Sequence, residues 1–123
     1  MREIKFRGLQ ENGIWRYGDF AYKDEEMATI FPKVKRFGEV VNGVSVPLNT
    51  VGQFVGFEDT NEVEIYEGDI LGKELHSNLE VKFKDGLFVA ERNEYDGLFI
   101  FAAVERGYEV VGNIYENKEL LHE

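Results

Sequence analysis

The sequence contains no cysteine and only two prolines in 123 residues. The first absence excludes disulfides, thiolate metal sites, iron–sulfur clusters and thiol nucleophiles, and it suits a reducing cytoplasm. No apolar run approaches the roughly 18 residues that a membrane span needs. The N-terminal Met1-Arg2-Glu3-Ile4-Lys5-Phe6-Arg7 alternates charge with apolar residues where a secretory leader would carry an apolar stretch. A soluble, cytoplasmic protein is therefore expected. The glycines are scattered singly, so no phosphate-cradling loop of the Walker or dinucleotide kind is present. The two histidines are His76, beside Ser77 in a polar stretch, and His122 near the C-terminus. Neither has the serine-and-acid neighbours of a catalytic relay, and no cofactor is implied.

What is present is acid and aromatic residues. The net charge is −10, and it is uneven: residues 1–40 carry +1 and residues 41–123 carry −11. Such a surface keeps a chain soluble and opposes broad nucleic-acid binding, which depends on Lys and Arg neutralising phosphates. Thirteen glycines, ten phenylalanines and six tyrosines point to many short strands joined by tight turns. The length suits a single domain, with two β lobes at about 1–48 and 49–123 as its expected subdivision.

Asn12-Gly13 predicts a two-residue type I′ hairpin with Glu11 facing Ile14. In that register Ile4, Phe6, Trp15, Tyr17 and Ala21 share one face, and Lys5, Arg7 and Arg16 the other. Lys23 to Met27 reads as a loop or a single helical turn. Thr29 to Phe31 and Glu39 to Val46 read as strands, the second interrupted at Asn42-Gly43 and stopped or placed at an edge by Pro47. Val51 to Phe57, Glu62 to Tyr66 and Ile70 to Lys73 follow as short strands, the last two flanking a turn at Glu67-Gly68-Asp69. Asp85-Gly86 predicts a second type I′ hairpin, with Val81, Phe83, Phe88 and Ala90 on one face and Lys82, Lys84, Leu87 and Val89 on the other. Asn93 to Gly97 reads as a loop and the apolar Leu98 to Val104 as a buried strand. Tyr108 to Tyr115 is the last strand, and Asn117 caps a terminal helical turn reaching Leu121. The fold expected is all-β or β-dominated, with short antiparallel strands and hairpins and at most short helical turns. They form either a partly closed, SH3-like barrel or two small packed sheets.

Five segments in order carry a resemblance. They are Ile4-Lys5-Phe6-Arg7, Trp15-Arg16-Tyr17-Gly18-Asp19, Thr50-Val51-Gly52-Gln53-Phe54, Glu64-Ile65-Tyr66-Glu67-Gly68-Asp69-Ile70 and Val110-Val111-Gly112-Asn113-Ile114-Tyr115-Glu116-Asn117. Together they resemble the YopX family of phage- and prophage-encoded proteins, over essentially the whole chain. The resemblance implies a mainly β fold and a phage or prophage origin, hence a bacterial host cell, and it implies no activity or catalytic residue. The family pattern has a glycine after the asparagine of the loop before Glu64. Here Asn61 is followed by Glu62, so that turn is expected to differ.

The densest acidic stretch holds Glu58, Asp59, Glu62, Glu64, Glu67 and Asp69. Clustered oxygens suit Ca²⁺ or Mg²⁺, but the EF-hand spacing is absent and Gly68 between two acids is ordinary turn chemistry, so no metal ligands are assigned. A glycosidase-type carboxylate pair would need opposed environments that the sequence does not indicate. An enzyme is not expected, an acid-based hydrolase being the alternative in that class. The basic face of the first hairpin, Lys5, Arg7 and Arg16, with Lys33, Lys35 and Arg36 following and Trp15, Phe31 and Phe37 available for stacking, is the candidate nucleic-acid site. The leading expectation is a non-enzymatic accessory protein acting through protein contacts or self-association, for which exposed sheet edges are one route. Nucleic-acid binding through the hairpin is the alternative.

Overall fold

Asn12-Gly13 closes the first hairpin with a three-residue loop, not the two-residue loop expected. In this computed structural model, which describes residues 3–33, 38, 41–92 and 97–122, strand β1 (Phe6–Leu9) pairs with β2 (Trp15–Tyr22) in the register Arg7↔Tyr17 and Leu9↔Trp15. Gln10 N–H donates to Ile14 O at 3.0 Å and Gly13 N–H donates to Gln10 O at 2.9 Å. Of the loop residues Glu11, Asn12 and Gly13, only Gly13 has a positive φ, +85°. Asn12 Oδ1 accepts the Ile14 N–H at 3.1 Å, which holds the asparagine in a turn of its own. A type I′ turn needs both central residues at positive φ, whereas a three-residue loop needs one left-handed residue at its end. The one-residue change in register moves side chains to opposite faces. Arg7 now shares a face with Tyr17 and Trp15, and Arg16 lies on the other, with Phe6 and Phe20.

The chain divides into two compact units, Met1–Phe54 and Val55–Glu123. In the first, β3 (Met27–Phe31) and β4 (Val44–Pro47) extend the hairpin, with Ala28↔Val46 and Phe20↔Ile30 in register. Alternation places Ala28 and Ile30 inward, where they and Val46 are wholly buried against Phe6, Phe20, Leu48 and Val51. The β2–β3 connection is a loop held by Asp24, whose Oδ1 accepts the Glu26 and Met27 N–H groups, each at 2.8 Å. Those two bonds hold the Asp24 carboxyl below the usual carboxylate range. The strand expected from Glu39 begins only at Val44; residues 41–43 lie outside any strand, and Glu39 and Val40 lie outside the described residues.

Strand β5 (Gly52–Glu58) begins in the first unit, where Gln53 and Gly52 pair with Phe6 and Arg7, and ends in the second. Then come β6 (Glu64–Tyr66), β7 (Asp69–Gly72), β8 (Leu79–Lys84), β9 (Leu87–Glu91) and β10 (Leu98–Phe99). Helix α1 (Ile100–Glu105) and β11 (Glu109–Asn113) complete the order. Pairing gives two antiparallel sheets, β4-β3-β2-β1-β5-β6 and β10-β9-β8-β7-β11. No closed barrel exists among the described residues; of the two arrangements expected, two sheets are what is found. The β8–β9 hairpin has the register expected, Phe83↔Phe88 and Val81↔Ala90, across Asp85 (φ +53°) and Gly86 (φ +82°). The second unit's core is Ile65, Leu71, Leu79, Val81, Ala90, Ile100, Ala103 and Tyr108. Each large aliphatic side chain buried there contributes roughly 1.5–3 kcal/mol.

Leu98 to Val104 is not one strand. Pairing stops after Phe99, and Ile100–Glu105 turns into a short helix. Ala102 and Ala103 favour it, and Ile100 and Ala103, three apart, supply its buried stripe. Its end was readable: Gly107, at φ +90°, donates to Val104 O at 3.0 Å while Tyr108 N–H reaches Ala103 O at 3.1 Å. That pair of bonds is the Schellman arrangement, which requires a left-handed residue that glycine fills without strain. Asn117 does precede a final 3₁₀ turn, Lys118–Leu121, but its side chain makes no cap. It instead accepts the Asn113 N–H at 3.1 Å.

Candidate functional site

The three-residue loop disperses the basic hairpin. Arg7 is 6% exposed, and its guanidinium carbon lies 4.4 Å from the centre of the Trp15 ring. Lys5 shares that face, its Nζ 3.3 Å from Glu3 and 5.1 Å from the Phe54 ring centre. Arg16, on the opposite face, donates through Nε to Gln10 Oε1 at 2.8 Å. Lys33 Nζ lies 2.6 Å from Asp19 Oδ1. Lys35, Arg36 and Phe37 lie outside the described residues. The structure thus brings Lys5 and Arg7 together and separates Arg16 from them, and Lys5 and Lys33 are engaged with local carboxylates.

The two aspartates of the acidic stretch are spent on backbone. Asp59 is buried; its Oδ1 accepts Asn61 N–H at 2.9 Å and Val63 N–H at 3.0 Å, and its Oδ2 accepts Val110 N–H at 2.9 Å. Asp69 Oδ2 accepts the Tyr66 N–H at 2.7 Å, and Glu64 accepts the Tyr66 hydroxyl at 3.1 Å. Carboxylates that organise turns this way satisfy donors a strand ending cannot otherwise pair. Among the described residues no group of three or more acidic or histidine side chains is placed to hold a metal ion. His76 Nδ1 contacts the Glu74 carbonyl at 2.9 Å, so the hydrogen bond that orients its ring goes to backbone and not to an acid.

Glu91, which sequence reasoning passed over, is a nearly buried carboxylate with two cations, Lys82 Nζ at 3.3 Å and Lys84 Nζ at 3.4 Å. Burial pushes its carboxyl up, but the two lysines outweigh burial and hold it below the usual carboxylate range. Alternation along β8 brings both lysines to this face, so the sequence pattern held the signal.

The exposed apolar surface was also missed. Phe57 near the end of β5 and Phe101 on α1 are 43% and 55% exposed, with ring centres 6.4 Å apart. Phe99 on β10 is exposed as well. Reading Leu98 to Val104 as a strand buried throughout hid this; the helix turns Ile100 and Ala103 inward and leaves Phe101 outward. The sheet edges are less inviting. Among the described residues β4 ends on Pro47, β6 has three residues, β10 has two, and β11 is bulged between Val110 and Gly112. Short, proline-ended and bulged edges are the devices that discourage strand addition. Adjacent exposed aromatics are the stronger mark of a contact surface.

No helix among the described residues is long and apolar enough to cross a membrane. The family model described as "YopX protein" matches residues 5–122. A crystal structure of protein EF1440 from Enterococcus faecalis is similar at 25% identity, with a TM-score of 0.62, covering 98% of this chain and 99% of that one. The crystal structure of protein yopX from Bacillus subtilis is similar at 25% identity, with a TM-score of 0.58, covering 98% of this chain and 97% of that one. Among curated proteins no match is found.

Proposed function

This chain belongs to the YopX protein family, and from that premise we propose that it is a non-enzymatic phage or prophage accessory protein acting through protein contacts in the host cytoplasm. The observation that carries the reading is the exposed Phe57–Phe101 pair, with Phe99 exposed on the strand leading into the same helix. Large aromatic side chains left in water side by side gain free energy when a partner covers them. A non-enzymatic role is supported by the carboxylates themselves. Asp59 and Asp69 are committed to backbone donors, and Glu91 is held ionised, opposite to the raised pKa a general acid needs. A cytoplasmic place fits the absence of cysteine.

The test compares the wild-type chain with Phe57→Ser/Phe101→Ser. Light scattering over a wide concentration range reports self-association, and retention of host proteins by immobilised chain reports a partner. Self-association or a retained partner that the double variant loses supports the reading. A monomer that retains the same host proteins in both forms overturns it. The nucleic-acid alternative is separated by a salt-dependent gel shift with Arg16→Gln/Lys33→Gln.

A further inference from the structure

A cleft of about 360 Å³ in the second unit brings together two of the six Lys and Arg side chains that the acidic part of the sequence possesses. Arg92, immediately after β9, and Arg106, at the end of α1, line it together with His76 and Ser77 of the β7–β8 loop; Leu98 and Tyr108 supply apolar wall. Lys73 adds a further cation, its Nζ 5.9 Å from the centre of the Tyr108 ring. Residues 41–123 carry only six Lys and Arg against a net of −11, so such a convergence runs against the composition.

The two arginines differ from the two lysines of β8. Lys82 and Lys84 are paired with Glu91, whereas Arg92 and Arg106 are exposed and enter no ion pair among the described residues. The elements that carry Arg106 and His76 are held by hydrogen bonds. The Schellman end of α1 fixes Arg106 and Tyr108 on either side of Gly107. His76 is held by its Nδ1 contact to Glu74 O and packs edge-on to the Tyr108 ring, with ring centres 6.3 Å apart. The turn that presents His76 is itself strained. His76 N–H donates to Lys73 O at 3.0 Å, and Leu75 within that turn has φ +65°. Leu75 is 97% exposed, so burial of its side chain does not compensate the left-handed backbone. Left-handed backbone at a non-glycine residue is found at ligand sites as well as in plain turns.

We propose that this cleft binds a small organic phosphomonoester. Guanidinium groups present planar forks of donors that match phosphate oxygens in pairs, and two of them beside an imidazole and a hydroxyl suit a dianion better than a single carboxylate. The Tyr108 and Leu98 walls take the organic body, and the volume suits a ligand of mononucleotide size or smaller.

Adenosine 5′-monophosphate, adenosine and inorganic phosphate are the probes, read by calorimetry and by NMR shifts of His76 and Tyr108. The monophosphate binds, phosphate competes with it, and adenosine alone binds at least about tenfold more weakly. Arg92→Gln/Arg106→Gln weakens monophosphate binding at least about tenfold, while Arg16→Gln in the first unit leaves it unchanged. Both cleft arginines are exposed, and an unchanged thermal melt of the double variant separates lost binding from lost folding. If the melt falls, the single variants carry the same test. Absence of binding by every phosphate probe overturns the proposal, as does equal affinity for adenosine and its monophosphate, or binding that survives the double substitution.

Discussion

Glu62 occupies a backbone conformation that suits another residue. Its φ is +63°, and its N–H donates to Asp59 O at 3.0 Å while Asp59 N–H donates to Val63 O at 2.9 Å. The first hairpin repeats this pattern, with Gly13 N–H to Gln10 O and Gln10 N–H to Ile14 O. Both loops have three residues, asparagine in the middle and a left-handed residue last; one ends in glycine and the other in glutamate. A left-handed backbone costs an L-residue roughly 1–2 kcal/mol. Replacing it by glycine returns about 0.4–1 kcal/mol to the unfolded chain as entropy. Glu62→Gly is therefore expected to stabilise by about 0.5–1 kcal/mol, raising the midpoint by about 2–4 °C for a chain of this size. Urea titration and thermal melting followed by far-UV circular dichroism measure it. Glu62→Gln removes the same charge near Glu58 and Glu64 while keeping the Cβ, and is expected to gain much less. The mirror experiment is Gly13→Ala. A Cβ at Gly13 meets no atom within 4 Å, so its loss, about 0.5–1 kcal/mol, is backbone conformation alone. Equal gains from Glu62→Gly and Glu62→Gln, or a loss from the glycine, would refute the reasoning.

Other substitutions probe the remaining supports. Asp59→Ala leaves three N–H groups without their acceptor and should cost about 2–4 kcal/mol in urea titration. Asp59→Asn should recover little, because with its oxygen kept toward Asn61 and Val63 its amide donors face the Val110 N–H. Gly8→Ala drives a Cβ to 2.6 Å from Val46 Cγ2, a side chain able to shift, and should cost about 1–3 kcal/mol. Gly18→Ala meets the Phe31 backbone carbonyl, which cannot shift alone, and should cost more than Gly8→Ala. Glu91 has a depressed folded-state pKa, so its pairing stabilises above the unfolded carboxylate pKa and is lost as pH falls through the folded value. Glu91→Gln should therefore cost about 1 kcal/mol at neutral pH. Its melting curve should converge on wild type only at pH values below the ordinary glutamate range.

Local chemistry in the sequence was enough for the Asp85-Gly86 hairpin, because both turn residues adopt the left-handed backbone their types favour. It was not enough for Asn12-Gly13. Whether asparagine goes left-handed or folds its side chain onto Ile14 N–H is a contest of about one hydrogen bond, and the wrong choice inverted a whole face. The helix at Ile100–Glu105 was obscured for a different reason: a short apolar run has the same composition as strand or helix. The Arg-Gly at 106–107 and the adjacent alanines were the discriminating signs. Arg7 read as a surface cation because burial of a guanidinium against Trp15 depends on register. The Arg92–Arg106 cleft joins residues from three separate connections, and no periodicity in the sequence relates them.

Trp15 is the sole tryptophan of the chain. It lies in the unit Met1–Phe54, beneath the Arg7 guanidinium. Its emission is therefore a local gauge: the positive charge against the indole sets its colour, and loss of that stack on denaturation will register the melting of the first unit only. Far-UV dichroism sums over both sheets. Overlaying the two traces asks, without any labelling or mutation, whether the halves of this molecule come apart together or in turn.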